Sequence, residues 1–116
     1  MYVGFDPTAE SLHLGHLVTL CTLLRFAQAG HPAMVLLGGA TGLVGDPSWR
    51  KEERDGAQVG NLNHNIAALQ EQIASFFARQ GQSVQLVNNL AWHGSFGLLD
   101  FLRTVVNRMR VADLLG

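Results

Sequence analysis

Two histidines flank a glycine near the start of the chain, in the order His13-Leu14-Gly15-His16. If a helix begins near Leu14, residues three apart lie on one face, so both imidazoles point the same way. The helix N-terminus adds free N–H groups and a partial positive charge. Imidazole donors beside such N–H groups suit a polyphosphate. An N-terminal turn with two exposed or capping histidines is the alternative that the spacing leaves open.

A glycine-rich segment at residues 38–47, Gly-Gly-Ala-Thr-Gly-Leu-Val-Gly-Asp-Pro, is the second candidate. It matches neither the Gly-x-Gly-x-x-Gly fingerprint nor the Gly-Lys-Ser/Thr ending of the P-loop. We expect a loop over 38–49, whose glycines let the backbone approach a ligand closely. Asp46 could then pair with an ammonium group or a ribose hydroxyl. The alternative is a simple turn, which Asp-Pro favours by itself.

Three cations, Arg50, Lys51 and Arg54, lie in a charged segment over residues 49–60. A mobile basic loop near a phosphate site would stabilise charge on a reacting phosphoryl group. Solvated surface is the alternative, as for most charge runs. We expect no bound metal, because zinc needs three or four protein ligands and the histidines outside the pair are scattered. Cys21 is expected in the hydrophobic core.

The elements that must position these residues alternate between strand and helix. Strands are predicted over 1–5, over the apolar run 33–37 and over 83–88, where apolar and polar residues alternate. Helices are predicted over 15–29, over 61–80, where apolar residues have three-and-four spacing, and over 96–109 and 111–115. The helix over 15–29 is apolar around most of its circumference, so we expect it to be buried. This order predicts a parallel, doubly wound α/β sheet whose ligands lie beyond the carboxyl ends of the strands. Asn88, Asn89 and Trp92 are expected to reach that cleft.

Composition limits the classes of protein. The chain has 116 residues, 47% hydrophobic and 15% charged, with net charge -1 and one cysteine. High apolar content and low net charge argue against disorder, and near-zero charge argues against wide electrostatic capture of nucleic acid. No 20-residue apolar span is present, so no membrane segment is expected. A lone cysteine fits a reducing compartment, for which we expect the cytoplasm, with an organelle left open.

Three blocks in order resemble a known family. They are Tyr-Val-Gly-Phe-Asp-Pro-Thr-Ala at 2–9, Ser-Leu-His-Leu-Gly-His at 11–16 and Gly-Gly-Ala-Thr-Gly-Leu-Val-Gly-Asp-Pro-Ser at 38–48. Together with Asn-Asn-Leu-Ala-Trp at 88–92, they are similar to the tyrosyl-tRNA synthetases, whose class I signature is the His-x-Gly-His box. The resemblance covers almost the whole chain. It implies a Rossmann-like (HUP-type) parallel sheet with flanking helices, with residues 1–116 as the N-terminal half of the catalytic domain and with the second half and the anticodon-binding domain absent.

The resemblance also implies roles for individual residues. Tyrosine would be bound by Tyr2, Thr41, Asp46 and Asn89. ATP would be bound by Gly4, Asp6, Thr8, His13, Gly15, His16 and Thr19. The catalytic set would be Thr8, His13, His16, Arg50, Lys51 and Arg54, with the last three closing on pyrophosphate as a basic loop.

The implied reaction is attack of the tyrosine carboxylate on the α-phosphorus of ATP, in which positioning and charge stabilisation carry the rate. Mg²⁺ is expected with ATP, tRNA(Tyr) is the expected acceptor in the full-length enzyme, and a homodimer is expected, with 98–115 as a contact surface. Two departures stand out: Val3 where bacterial members usually have Cys, and Trp49-Arg50 where the family has Gly-Lys. A non-catalytic ATP-binding or oligomerising fragment and a small His-x-Gly-His nucleotidyltransferase are the alternatives.

Overall fold

The computed structural model describes residues 1–44 and 57–110, with side chains described except at 57–60. Three strands alternate with helices along these residues. In chain order the elements are β1 (Tyr2–Phe5), α1 (Leu14–Gln28), β2 (Met34–Leu37), α2 (Gly39–Val44), α3 (Ala57–Ala78), β3 (Gln85–Asn88), α4 (Leu90–His93), α5 (Leu98–Thr104) and a 3₁₀ turn (Val106–Arg108).

The three strands form one parallel sheet in the order β1-β2-β3, which confirms the predicted Rossmann-like fold class. Val35 at the centre of β2 lies in register with Val3 of β1 and Leu86 of β3. Because neighbours in register project to the same side, these three side chains share a face. All three strands therefore end at the same edge, where Asp6, Gly38 and Asn89 follow them.

Glycines end the two long helices. Gly30, just after α1, has φ +85°, and Gly81, just after α3, has φ +66°. Residues with a Cβ rarely adopt this left-handed conformation, whereas glycine does so freely and is the usual residue just past a helix. The helices predicted over 15–29 and 61–80 do end within two residues of their predicted last positions.

The core lies between one face of the sheet and the helices α1 and α3. Val35 and Leu37 of β2 are fully buried, whereas Met34 and Leu36, which point the other way, are only half-buried. The helices supply apolar side chains at three-and-four spacing, which are Leu20, Leu23 and Leu24 from α1, and Leu62, Ile66, Leu69, Ile73 and Phe77 from α3.

The prediction that the first helix is buried around most of its circumference is wrong for the described residues. Leu14 is 80% exposed and Val18 is 69% exposed, and Cys21 is exposed rather than in the core. The reason is geometric, because a helix on a sheet buries only the stripe that faces it. The far side of α1 is thus an apolar surface.

Three further predictions need correction. Residues 39–44, expected as loop, form the short helix α2, and residues 57–60 belong to α3 rather than to a charged loop. The single helix predicted over 96–109 is instead α5 followed by the 3₁₀ turn. The rest of the predicted loop and basic segment, 45–56, and the predicted helix over 111–115 lie outside the described residues.

Candidate functional site

The two histidines cap the first turn of α1 and fix each other's rings. His13 is the N-cap residue, and its Nδ1 accepts a hydrogen bond from the Gly15 N–H at 3.1 Å. His16 Nδ1 in turn accepts from the His13 N–H at 3.2 Å. An imidazole nitrogen that accepts carries no proton, so in the neutral rings the proton sits on Nε2. Each ring therefore presents one N–H donor away from the helix backbone.

The rings are parallel and close. Their centroids lie 3.7 Å apart with 19° between the planes, and the edge of Phe5 contacts His16 at a centroid distance of 4.9 Å. Desolvation by burial lowers the pKa of His16 from its usual 6.5, and the neighbouring His13 lowers it further. A neutral His16 keeps its place in the reciprocal cap, because protonation would put a proton on Nδ1 and remove the bond from His13.

Gly15 makes room for this arrangement. A Cβ at position 15 would lie 2.9 Å from Cε1 of His13, closer than real Cβ contacts, and 3.1 Å from Nδ1, tighter than most of them. The imidazole would have to move to make room for a side chain there. Glycine between the histidines therefore leaves the His13 cap undisturbed.

A second cluster forms where the three strands end. The Thr41 hydroxyl on α2 donates to Asp6 Oδ1 at 2.8 Å, with the Gly38 carbonyl 3.0 Å away. The Ala40 N–H donates to Oδ1 of Asn89 at 2.6 Å, and Asn89 is only 6% exposed. Asn89 thus satisfies a free N–H in the first turn of α2 from the end of β3. The cluster joins residues that are 35 and 49 positions apart.

Close packing in this cluster explains why two glycines, Gly38 and Gly39, follow β2; we call them the paired glycines. A Cβ on Gly38 would collide with Asp6 and Thr41, and one on Gly39 would collide with Asn88. Two strand ends approach β2 from either side here, so neither position can carry a side chain. We call the cluster of Asp6, Gly38, Thr41 and Asn89 the strand-end cluster.

The face of β1 opposite the core is open. Tyr2 is 68% exposed, and two residues along the strand Gly4 projects to the same side. Among the residues that the structure describes, a Cβ on Gly4 would meet only the Leu36 carbonyl, at 3.9 Å. Space for a ligand therefore exists over the strand, next to the Tyr2 side chain. Val3, on the opposite face, packs against the core.

Two other predicted site residues lie near the histidine pair. Thr8 is exposed on the loop between β1 and α1, where its N–H donates to the Asp6 carbonyl at 2.9 Å. The Thr19 hydroxyl, one turn into α1, donates to the Gly15 carbonyl at 3.3 Å. Asp46, Arg50, Lys51 and Arg54 lie outside the described residues.

The sequence motifs do not reveal the contribution of α3. Asn65 donates to the Pro7 carbonyl at 3.1 Å, and Gln72 bonds to the backbone of Glu10 and Leu12. These two amides lie seven residues apart, which is two helical turns, on a helix whose other periodic positions are apolar. That polar pair within the apolar pattern is the signal that could have revealed them.

No group of three or more His, Cys, Asp or Glu side chains within 1–44 and 61–110 could hold a metal ion. Over the part of the chain that the structure describes, no helix is long and apolar enough to cross a membrane.

Comparison with known proteins places this chain in a family. The family model of class I tRNA synthetases (W and Y) matches residues 1–116, and the chain belongs to that family. Among curated proteins it is 42% identical over 121 residues to Tyrosine–tRNA ligase of Pediococcus pentosaceus and 43% identical over 118 residues to that of Roseiflexus castenholzii. Both alignments cover 100% of this chain and 28% of the relative.

Solved structures agree with the sequence relatives. A C-terminally truncated mitochondrial tyrosyl-tRNA synthetase of Aspergillus nidulans superposes with a TM-score of 0.72 at 32% identity, over 99% of this chain and 36% of that chain. The corresponding protein of Coccidioides posadasii gives a TM-score of 0.71 at 30% identity, over 99% and 33%. The chain thus spans about a third or less of the length of the proteins that it matches.

Proposed function

We propose that this chain supplies the ATP end and part of the tyrosine pocket of a tyrosine–tRNA ligase. The observation that carries the proposal is the stacked pair of His13 and His16 at the start of α1, with both Nδ1 atoms bonded to backbone N–H groups. Two Nε2 donors beside a helix N-terminus suit the phosphates of ATP. The family match and the named relatives support the same activity.

In the proposed reaction, a carboxylate oxygen of tyrosine attacks the α-phosphorus of ATP. The bond from that phosphorus to the bridging oxygen breaks, and pyrophosphate leaves with the negative charge. Thr8, His13 and His16 would donate to phosphate oxygens as this charge develops, and Arg50, Lys51 and Arg54 would close on the pyrophosphate. Mg²⁺ would be bound mainly by the ATP phosphates and water, as is usual for this ion. The tyrosyl-adenylate would then pass its tyrosyl group to tRNA(Tyr).

The amino acid would lie over the open face of β1. Tyr2 would hydrogen-bond the substrate phenol, and Asp46 would pair with the α-ammonium group beside Thr41. Gly4 and Asp6 would offer backbone near the α-phosphate, and His16 and Thr19 would face the ribose, with Gly15 leaving room at the helix start. The side-chain oxygen of Asn89 already accepts a hydrogen bond from the Ala40 N–H of α2. We therefore propose that Asn89 contacts tyrosine through its amide nitrogen.

The decisive experiment is tyrosine-dependent ATP–pyrophosphate exchange. It is run on the 116-residue chain and on a chimaera in which this chain replaces the matching segment of the Pediococcus relative. We expect exchange by the chimaera, with tyrosine preferred over phenylalanine by about 10⁴–10⁵, because a site that bonds a hydroxyl rejects the analogue without it. Equal exchange with both amino acids would overturn the tyrosine assignment. A folded chimaera that binds ATP without exchange would favour the non-catalytic alternative.

We also propose that the chain pairs with a second copy of itself. Apolar side chains are exposed over α5 and the residues after it, with Leu98 at 72%, Leu99 at 80% and Met109 at 56%. Contiguous exposed apolar surface of this kind marks an interaction site. Light scattering over a range of concentrations tests the proposal. We expect a dimer that Leu99→Lys converts to monomer, and a wild-type monomer at every concentration would overturn it.

For the compartment we propose the cytoplasm, on the lone cysteine and the bacterial relatives. The Aspergillus neighbour is a mitochondrial synthetase, so an organelle is the alternative. Localisation of the tagged protein in its own cell distinguishes the two.

A further inference from the structure

The loop that leads into the histidine pair is held by a helix distant in sequence. Residues 6–13 connect β1 to α1, and Gln72 of α3 pairs with their backbone through both ends of its amide. Its Oε1 accepts from the Leu12 N–H at 3.1 Å, and its Nε2 donates to the Glu10 carbonyl at 2.8 Å. An amide is suited to this because it carries a donor and an acceptor on one planar group.

A second amide on the same helix face anchors the other end of the loop. Asn65 Nδ2 donates to the Pro7 carbonyl at 3.1 Å, two turns of α3 before Gln72. The His64–Glu10 contact at 3.2 Å joins side chains that are 67% and 71% exposed. An exposed pair of this kind contributes little, so the backbone bonds of Asn65 and Gln72 hold the loop.

The position of Gln72 matters for the histidines because Leu12 directly precedes His13. The reciprocal cap fixes both rings relative to the first turn of α1. It does not fix the backbone that enters that turn. The bond from the Leu12 N–H to Gln72 connects that backbone to α3, which itself packs on the sheet through Leu69 and Ile73.

We propose that Gln72 is a positioning residue that holds the loop backbone so that the His13 and His16 rings stay in place for the phosphates of ATP. The role rests on the proposed function of the histidine pair. Gln72 itself touches no reacting atom and acts through Glu10 and Leu12. Its loss should therefore reduce turnover more than ground-state affinity for ATP, because the histidines act on charge that develops in the transition state.

The first test is amide hydrogen exchange on the 116-residue chain. Gln72→Ala removes both bonds, and we expect the Leu12 amide to exchange about tenfold faster, since one net hydrogen bond is lost. Gln70→Ala is the matched control, because Gln70 is also half-buried on α3 and bonds to neither Glu10 nor Leu12. Unchanged exchange at Leu12 in Gln72→Ala would show that the bonds from Gln72 do not hold the loop backbone.

The second test is pyrophosphate exchange in the Pediococcus chimaera. We expect kcat to fall on the order of 10²-fold in Gln72→Ala, with the KM for ATP within about twofold and with Gln70→Ala unaffected. Gln72→Glu keeps the acceptor for Leu12 and loses the donor for Glu10, so its kcat should lie in between. It also replaces Gln72→Ala if that variant does not fold.

The outcomes separate this proposal from the function on which it rests. An inactive wild-type chimaera would count against the proposed function. Hydrogen exchange would still show whether Gln72 holds the loop backbone. Faster exchange at Leu12 with an unchanged kcat would overturn the positioning role. So would equal losses in kcat for Gln72→Ala and Gln70→Ala, because a general loss of helix packing would then explain both.

Discussion

The start of α1 and the strand-end cluster are both parts of the candidate site, but they are built from contacts of different range. At the start of α1, three residues within four positions cap the helix and one another. In the strand-end cluster, Thr41 reaches Asp6 and Ala40 reaches Asn89, across 35 and 49 positions. The first is a local motif to which we assign a part in the proposed reaction. The second is a packing junction that places the helix bearing Thr41.

This difference predicts that substitutions separate into two groups. Changes at the start of α1 should affect catalysis before stability, because the histidine rings are exposed or half-buried and only cap a helix. Changes in the strand-end cluster should affect stability first, because Asn89 and the paired glycines are buried between strand ends.

The largest expected effect is that of His13→Ala on turnover. Removal of one donor to a developing anionic charge costs about 10²–10³ in kcat, so we expect that loss in pyrophosphate exchange by the chimaera. His13→Asn is the control, since asparagine also caps helices well. It should restore the melting temperature without restoring kcat. Full activity in either variant would remove the histidine from the catalytic set.

The next largest effect is the loss of stability in Gly38→Ala. The added methyl would collide with Asp6 and Thr41, and overpacking of this kind costs about 1–3 kcal/mol. Chemical denaturation of the chain measures the loss. Gly97→Ala is the matched control, because a Cβ there lies at an ordinary 3.7 Å from Asp100 Oδ2. Equal stability of the two variants would contradict the tight packing of the strand-end cluster.

Asn89→Ala tests the long-range cap of α2. It leaves the Ala40 N–H without its partner, and loss of a capping acceptor costs about 0.5–2 kcal/mol. Asn89→Asp keeps an oxygen for the same N–H and should lose less. If Asn89→Asp had a lower free energy of unfolding than Asn89→Ala, capping of α2 would not be the role of this side chain.

The smallest effect concerns pH. Burial, and then His13, lowers the pKa of His16 below 6.5 in the folded chain, so the unfolded chain binds this proton at higher pH than the folded chain does. The contribution of neutral His16 to the free energy of unfolding is therefore complete above pH 6.5. It declines as the pH falls below 6.5 and through the lowered pKa of the folded chain. Denaturation at a series of pH values measures the slope, which His16→Asn should reduce. An identical slope in that variant would exclude His16 as its source.

The sequence by itself determined the alternation of strands and helices, the helix stops at Gly30 and Gly81, and the histidine pair. Each depends on periodicity, a left-handed glycine or contacts within one turn of helix, which are local properties. The family resemblance also depends on short segments of sequence, at residues 2–9, 11–16 and 38–48. The sequence pattern fails where partners are distant: it predicts that α1 is buried around most of its circumference, although a sheet covers only one of its faces.

Only the tertiary structure decided that residues 39–44 form a helix, because an N–H in its first turn is satisfied by Asn89, which follows β3. It alone placed Gln72 and Asn65 on the loop before the histidines. No periodicity encodes which backbone group a side chain will meet 60 residues away. The residues of the proposed reaction were therefore visible in the sequence, and the contacts that hold them in position became visible only in the fold.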